Sequence, residues 1–220
     1  MWKVVAWWVN PGLADAYFRK GRYADALDAA QKVSPAGQQD DAYLSLLGDI
    51  EAHVGDTAKA QEIFRSAITR NPDNDQYYLS LALVQLRGND LTGAEQTLQK
   101  GLARIPGSGK LVWGQGLVSV LRGNSTQAAE RLERAVELLP EWVGSYSTLG
   151  VFYYQTGQIE KAREVLNRFK GSNAGGLDVA RIEETLSKAP TNPSSAGQPI
   201  PMVARQQLLQ LALMIADRSL

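Results

Sequence analysis

Residues Ala58–Pro72 read AKAQEIFRSAITRNP, and residues Thr92–Pro106, which begin 34 residues later, read TGAEQTLQKGLARIP. An alanine, a large apolar residue, a small residue and a proline stand at matching places in the two stretches. These residues are Ala60, Phe64, Ala67 and Pro72 in the first, and Ala94, Leu98, Gly101 and Pro106 in the second. Recurrence at a fixed period is the signature of a repeat protein.

The same period of 34 residues runs through most of the chain. One column consists of alanines, namely Ala26, Ala60, Ala94, Ala128 and Ala162. A second column consists of small residues, namely Ala14, Gly48, Ala82, Gly116 and Gly150. This register predicts five repeats without insertion or deletion, at residues 7–40, 41–74, 75–108, 109–142 and 143–176.

Each repeat contains two stretches of helical apolar periodicity separated by a short polar turn, which predicts a helical hairpin. The small columns fit this prediction, because two helices cross closely only where the side chains between them are small. We expect larger residues to fill the remaining space: Leu13, Leu47, Leu81 and Leu149 on the first helices, and Phe64, Leu98, Leu132 and Leu166 on the second. Pro72, Pro106 and Pro140 should end the second helices, because proline lacks the amide that a continuing helix uses.

This pattern resembles that of the tetratricopeptide repeat family, from Trp7 to about Lys170. The resemblance implies an all-α fold, a right-handed superhelical solenoid of antiparallel hairpins, and a non-catalytic role as a protein–protein interaction scaffold. The sequence resembles the bacterial members most, among which are scaffolds of envelope, pilus and exopolysaccharide assembly systems.

Four further segments flank the repeats. Residues 1–6 form a short apolar segment, and residues 177–189 have the helical spacing of a capping helix. Residues 190–201 are rich in proline and predict a linker, and residues 202–220 predict a C-terminal amphipathic helix.

The composition argues against several classes of function. Lys plus Arg and Asp plus Glu number 23 each, so no net charge attracts nucleic acid or an anionic membrane. The absence of cysteine excludes disulfides and thiolate chemistry. It leaves the compartment open, and a cytoplasmic and a periplasmic location fit equally. The apolar N-terminal run is too short for a transmembrane helix and does not read as a complete signal peptide.

Residues with catalytic potential are scattered. His53 is the single histidine and the chain has no cysteine, so we expect a solvated or half-buried surface histidine rather than a metal ligand. No motif places a nucleophile beside a base, and we therefore expect neither catalysis nor a metal or other cofactor.

The family resemblance places binding on the concave surface, which the first helix of each repeat lines. The residues at these places are Phe18, Asp49, Leu79, Leu83, Leu86, Arg87, Lys110, Trp113, Leu117, Val120, Leu121, Val151 and Tyr154. The lysine and asparagine pattern with which some members clamp chaperone tails is absent. The apolar members would form an exposed patch that needs a cover, unless several of them turn into packing between repeats.

The C-terminal helix is a candidate cover, because a short leucine-rich helix is only marginally stable in water unless it docks. It could dock in the groove of its own chain or in the groove of a neighbouring chain, which would give a swapped dimer. One alternative is a self-assembling protein that associates through this helix or through Trp2, Trp7 and Trp8. Another is the interaction domain of a larger enzyme or membrane protein.

Overall fold

The computed structural model of the chain describes residues 6–34, 37–171 and 200–219, with side chains for 12–34, 37–38, 40–169 and 200–214. The described residues form eleven α-helices and no β-strand, as the family resemblance predicted. The helices are α1 (Ala6–Arg19), α2 (Tyr23–Gln31), α3 (Asp41–Val54), α4 (Thr57–Arg70), α5 (Asp75–Arg87), α6 (Leu91–Arg104), α7 (Gly109–Arg122), α8 (Ser125–Leu138), α9 (Val143–Gln155), α10 (Ile159–Gly171) and α11 (Met202–Ser219). A 3₁₀ turn, Gly37–Gln39, precedes α3.

The predicted capping helix at 177–189 lies outside the described residues, as do most of the 190–201 linker and all but the last residue of the 1–6 segment.

Consecutive helices pair into five hairpins, α1/α2 to α9/α10. They belong to two compact units, which comprise Met1–Ile105 and Pro106–Leu220. Within the first unit α2 packs on α3, α4 packs on α5, and the first helices pack on one another as α1 on α3 and α3 on α5. Within the second unit α8 packs on α9.

One turn geometry joins the two helices of every hairpin. Its left-handed residue recurs every 34 positions as Gly21, Gly55, Asn89, Gly123 and Gly157, with φ between 61° and 100°. The next amide bonds back to a carbonyl in the last turn of the preceding helix, for example Asp56 N to Glu51 O at 3.0 Å and Asn124 N to Ser119 O at 2.9 Å. Asp56, Asp90 and Asn124 then cap the following helices through their side chains.

The small columns lie where the helices of a hairpin cross, as predicted. A Cβ atom added to Gly48 would lie 2.6 Å from the Phe64 ring, and one added to Gly116 would lie 2.7 Å from Leu132 Cδ2. These partners belong to the second helix of the same hairpin. A larger residue at either glycine would therefore force the helices apart.

The predicted prolines also fit the observed helix ends, since α4, α6 and α8 end two residues before Pro72, Pro106 and Pro140. The expectation for Leu13 was wrong, because this side chain is 42% exposed. Among the described helices, α1 packs on α2 and α3, and these contacts leave part of Leu13 uncovered.

Candidate interaction surface

The C-terminal helix α11 packs on α7 and α9, the first helices of the two hairpins in the second unit. Leu208 and Ala212, one turn apart, are fully buried on α11, whereas Met202 and Val203 are 72% and 68% exposed. Of the residues predicted to line the groove in this unit, Leu117, Val120 and Val151 are buried. We call the surface formed by α7 and α9 beneath α11 the docking surface.

Arg205 joins α11 to the carboxyl end of α7. Its Nε donates to the Ile200 carbonyl at 2.7 Å, and its Nη1 donates to the Leu121 carbonyl at 3.3 Å. Leu121 lies in the last turn of α7, where carbonyls have no donor within the helix. The guanidinium group therefore supplies a donor that the helix itself lacks.

Trp113 was predicted to line the groove, and the structure places it between two hairpins. It is fully buried, its Nε1 donates to Thr148 Oγ1 of α9 at 3.1 Å, and its ring meets Trp142 edge-on at 4.9 Å. Its indole N–H is thus satisfied inside the protein, as buried tryptophan requires. The other predicted residues of this unit, Lys110, Leu121 and Tyr154, are half-buried.

In the first unit, one predicted residue joins an aromatic cluster. The Phe18 ring lies 5.6 Å from Tyr23 and 5.1 Å from His53. His53 Nδ1 lies 2.7 Å from the carbonyl oxygen of Asp49, and because a carbonyl only accepts, the hydrogen is on Nδ1. His53 is half-buried in this packing, which is one of the two environments expected from the sequence.

Arg87 makes a second link in the first unit, where its Nη1 donates to the Ala52 carbonyl at the end of α3 at 3.2 Å. The apolar predicted residues of α5, which are Leu79, Leu83 and Leu86, are buried. The Phe18 ring and the Asp49 carbonyl thus both contact His53. Arg87 has a different role, because it bonds to the end of α3.

Charged and polar pairs connect helices within each unit. Glu51 is buried and pairs with Lys59 Nζ at 2.5 Å, and its hydrogen bond raises the pKa of Lys59. The Tyr153 hydroxyl donates to Glu133, and burial, followed by that bond, raises the pKa of Tyr153. Such pairing is what a buried ionisable group requires for stability, so neither pair indicates chemistry.

Sequence reasoning missed Arg205 and Thr148. The arginine stands out as the one basic residue between Met202 and Met214, but nothing in the repeat period indicates which carbonyl it meets. The described residues contain no group of three or more histidine or acidic side chains suited to a metal ion. None of the helices in the described ranges is long and apolar enough to span a bilayer.

Comparison with known proteins agrees with this architecture. The family model described as tetratricopeptide repeat matches residues 45–109 and 115–176, which is more than half of the chain. A search of curated proteins gives no significant match.

Several solved structures have the same fold. The thermophilic tetratricopeptide repeat protein TTC0263 of Thermus thermophilus has 22% identity and a TM-score of 0.67, covering 83% of this chain and 100% of its own. A tetratricopeptide repeat protein of Parabacteroides merdae has 16% identity and a TM-score of 0.61, with coverage of 94% and 84%. MamA 41-end from Desulfovibrio magneticus has 18% identity and a TM-score of 0.54, with coverage of 84% and 98%. At these identities the likeness concerns the fold, and together with the family match it gives one conclusion: the chain belongs to the tetratricopeptide repeat family.

Proposed function

We propose that the protein is an interaction scaffold whose docking surface binds an apolar or amphipathic helix of a protein partner, and that α11 occupies this surface in the free chain. Membership of the tetratricopeptide repeat family supports the general role of scaffold. The observation that carries the specific role is the seat of α11 on α7 and α9, with Leu208 and Ala212 fully buried.

The energetics of that seat support a helix as the ligand. Leu208 and Leu213 are both buried on α11. Burial of one leucine side chain contributes roughly 1.5 to 3 kcal/mol, so these two alone offset much of the cost of ordering a short helix. A partner helix with similar spacing would gain the same contacts, but it would have to displace a competitor that is tethered to the surface. An envelope, pilus or exopolysaccharide assembly system as the setting stays a prediction from the family resemblance.

The test uses a fluorescein-labelled peptide with the sequence of residues 200–219 and three full-length chains: the natural sequence, Leu208→Glu and Val203→Glu. Leu208→Glu should unseat α11, because a carboxylate would replace a fully buried leucine, whereas Val203 is exposed and its substitution is the matched control. We expect the peptide to bind Leu208→Glu at least about tenfold more tightly than the other two chains, which corresponds to about 1.4 kcal/mol. Equal binding to all three chains, or no binding to any, would overturn the proposal.

The same variants separate this proposal from exchange of α11 between two copies, which would make the same contacts in a dimer. Own-chain occupancy predicts a monomer in light scattering for all three chains. A dimer that dissociates only with Leu208→Glu would favour exchange and a self-assembling protein.

A further inference from the structure

The carboxyl ends of α3, in the first unit, and α7, in the second, accept hydrogen bonds from different parts of the chain. In the first unit Arg87, from the following hairpin, donates to the Ala52 carbonyl at the end of α3. The residue at the same place in the second unit, two repeats later, is Gln155. Gln155 is only 3% exposed, and its Oε1 accepts no hydrogen bond from any described residue. The hairpin array therefore provides no arginine of its own for the end of α7 at the place where the first unit has one.

An arginine from α11 takes this role instead. The Ser119 and Val120 carbonyls accept bonds from the amides of Asn124 and Gly123, both at 2.9 Å. The next carbonyl, that of Leu121, accepts from Arg205 Nη1. A cation is favoured here because the carboxyl end of a helix carries a partial negative charge.

Gly123 leaves the space that the guanidinium group fills. A Cβ atom added to Gly123 would lie 2.5 Å from Arg205 Nη2 and 2.6 Å from Arg205 Cζ. The turn itself does not demand glycine, because Asn89 adopts the same left-handed conformation with φ 61°. At the equivalent Gly55 an added Cβ would meet no atom of the described residues within 4 Å. Close contact with an arginine thus distinguishes Gly123 from its counterpart in the first unit.

We propose that the carboxyl end of α7 is a guanidinium-binding subsite of the docking surface. It selects partner helices with an arginine three residues before a buried leucine, as Arg205 precedes Leu208 in α11. This inference rests on the proposed function, because it specifies which helices the docking surface accepts. Lysine is a poor substitute, since it lacks the planar fork that bonds to the Ile200 and Leu121 carbonyls together.

The test measures three labelled peptides of residues 200–219: the natural sequence, Arg205→Ala and Arg205→Lys. The receptor is the full-length chain with Leu208→Glu and Arg205→Ala, so that its own arginine cannot fill the subsite. We expect Arg205→Ala to weaken binding about tenfold, as loss of a hydrogen bond to a charged group does, with Arg205→Lys in between.

A second receptor adds Gly123→Asn, which keeps the left-handed turn and blocks the space for the guanidinium group. The natural peptide should then bind no better than the Arg205→Ala peptide, whereas Gly55→Asn, the matched control, should preserve the roughly tenfold difference. Equal binding of all three peptides to the first receptor would overturn the subsite and leave the docking surface intact. Binding of none would instead overturn the proposed function, and equal binding of the arginine and lysine peptides would overturn selection for guanidinium.

Discussion

The two units are built from the same type of hairpin, but different side chains bond to the carboxyl ends of α3 in the first unit and α7 in the second. In the first unit, Arg87 reaches from one hairpin to the carboxyl end of the previous one, and the rings of Phe18, Tyr23 and His53 pack nearby hairpins together. In the second unit the corresponding residue is Gln155, whose Oε1 accepts no hydrogen bond from any described residue, and α11 brings Arg205 to α7. The carboxyl end of α3 is therefore bonded by the next hairpin, and that of α7 by α11.

One position in the last turn of the first helix shows how the repeat tolerates different side chains. The backbone carbonyls of Glu51, Gln85, Ser119 and Tyr153 accept the same turn-closing bond in their hairpins. Their side chains have unlike partners, which are Lys59, Thr97, Arg131 and Glu133 respectively. Because the backbone makes the turn, the side chain at this place is free to differ between the units.

The largest expected effect concerns the feature that both units share, the close crossing within a hairpin. Even a Cβ atom at Gly48 or Gly116 would clash with Phe64 or Leu132. Gly48→Leu and Gly116→Leu should therefore each lower the free energy of unfolding by about 3 kcal/mol. Urea denaturation followed by far-UV circular dichroism measures this loss.

Gly12→Ala is the control for these variants, because its Cβ would meet no described atom within 4 Å on the exposed side of α1. It should raise stability by roughly 0.5 to 1 kcal/mol through helix propensity. If one unit tolerated the leucine and the other did not, the two hairpins would not share the crossing that we describe.

The crossing was predictable from the sequence because it depends on residue size at a fixed period. The two columns of alanine and glycine mark one position on each helix of a hairpin. The three prolines lie two residues after the ends of second helices. Leu13 broke the pattern because a column records the residue type at a fixed period, not how much of each side chain its neighbours cover.

The candidate surface was less predictable from the sequence. Periodicity predicts which face of a helix a residue lies on, but not which partner its side chain contacts. Trp113 stands at a groove place, yet its indole turns toward Trp142, the residue before α9, and toward Thr148 of the next hairpin. Arg205 lies 84 residues from Leu121 and outside the repeat, so no spacing relates the two. The set of groove residues as a whole stays a prediction that the peptide experiments test.

Two buried glutamines in equivalent helices give the next test of the contrast between the units. Gln85 accepts a bond from Thr97 Oγ1 at 2.8 Å, whereas Gln155 Oε1 accepts none among the described residues. Gln85→Leu should therefore destabilise the protein by roughly 1 to 2 kcal/mol, because the Thr97 hydroxyl loses its acceptor. Gln155→Leu should stabilise it by about 1 kcal/mol, because an unpaired buried oxygen is removed.

Thermal and urea denaturation of both variants measures this difference in sign. Two losses of equal size would mean that Gln155 has an acceptor role in solution, and the comparison of the units would then fail at this position.

The smallest expected effect is a change in alkaline stability at Tyr153. Burial and the bond to Glu133 raise its pKa, with Glu164 adding to the shift and Arg168 opposing it. The folded protein therefore holds the phenol proton more tightly than the unfolded chain, so stability should fall as the pH rises above about 10, the ordinary pKa of tyrosine. Glu133→Gln should weaken this fall, because it removes the carboxylate that opposes ionisation.

Tyr43 of the first unit is the matched control. Its pKa is raised mainly by burial, and its hydroxyl donates to the Ala30 carbonyl at 3.2 Å rather than to a carboxylate. Ultraviolet titration of the tyrosines should show Glu133→Gln moving one group to lower pH, and the same substitution combined with Tyr153→Phe should remove that group. If the shifted group persisted without Tyr153, a tyrosine elsewhere would respond to Glu133, and the bond between α8 and α9 would not account for the alkaline behaviour.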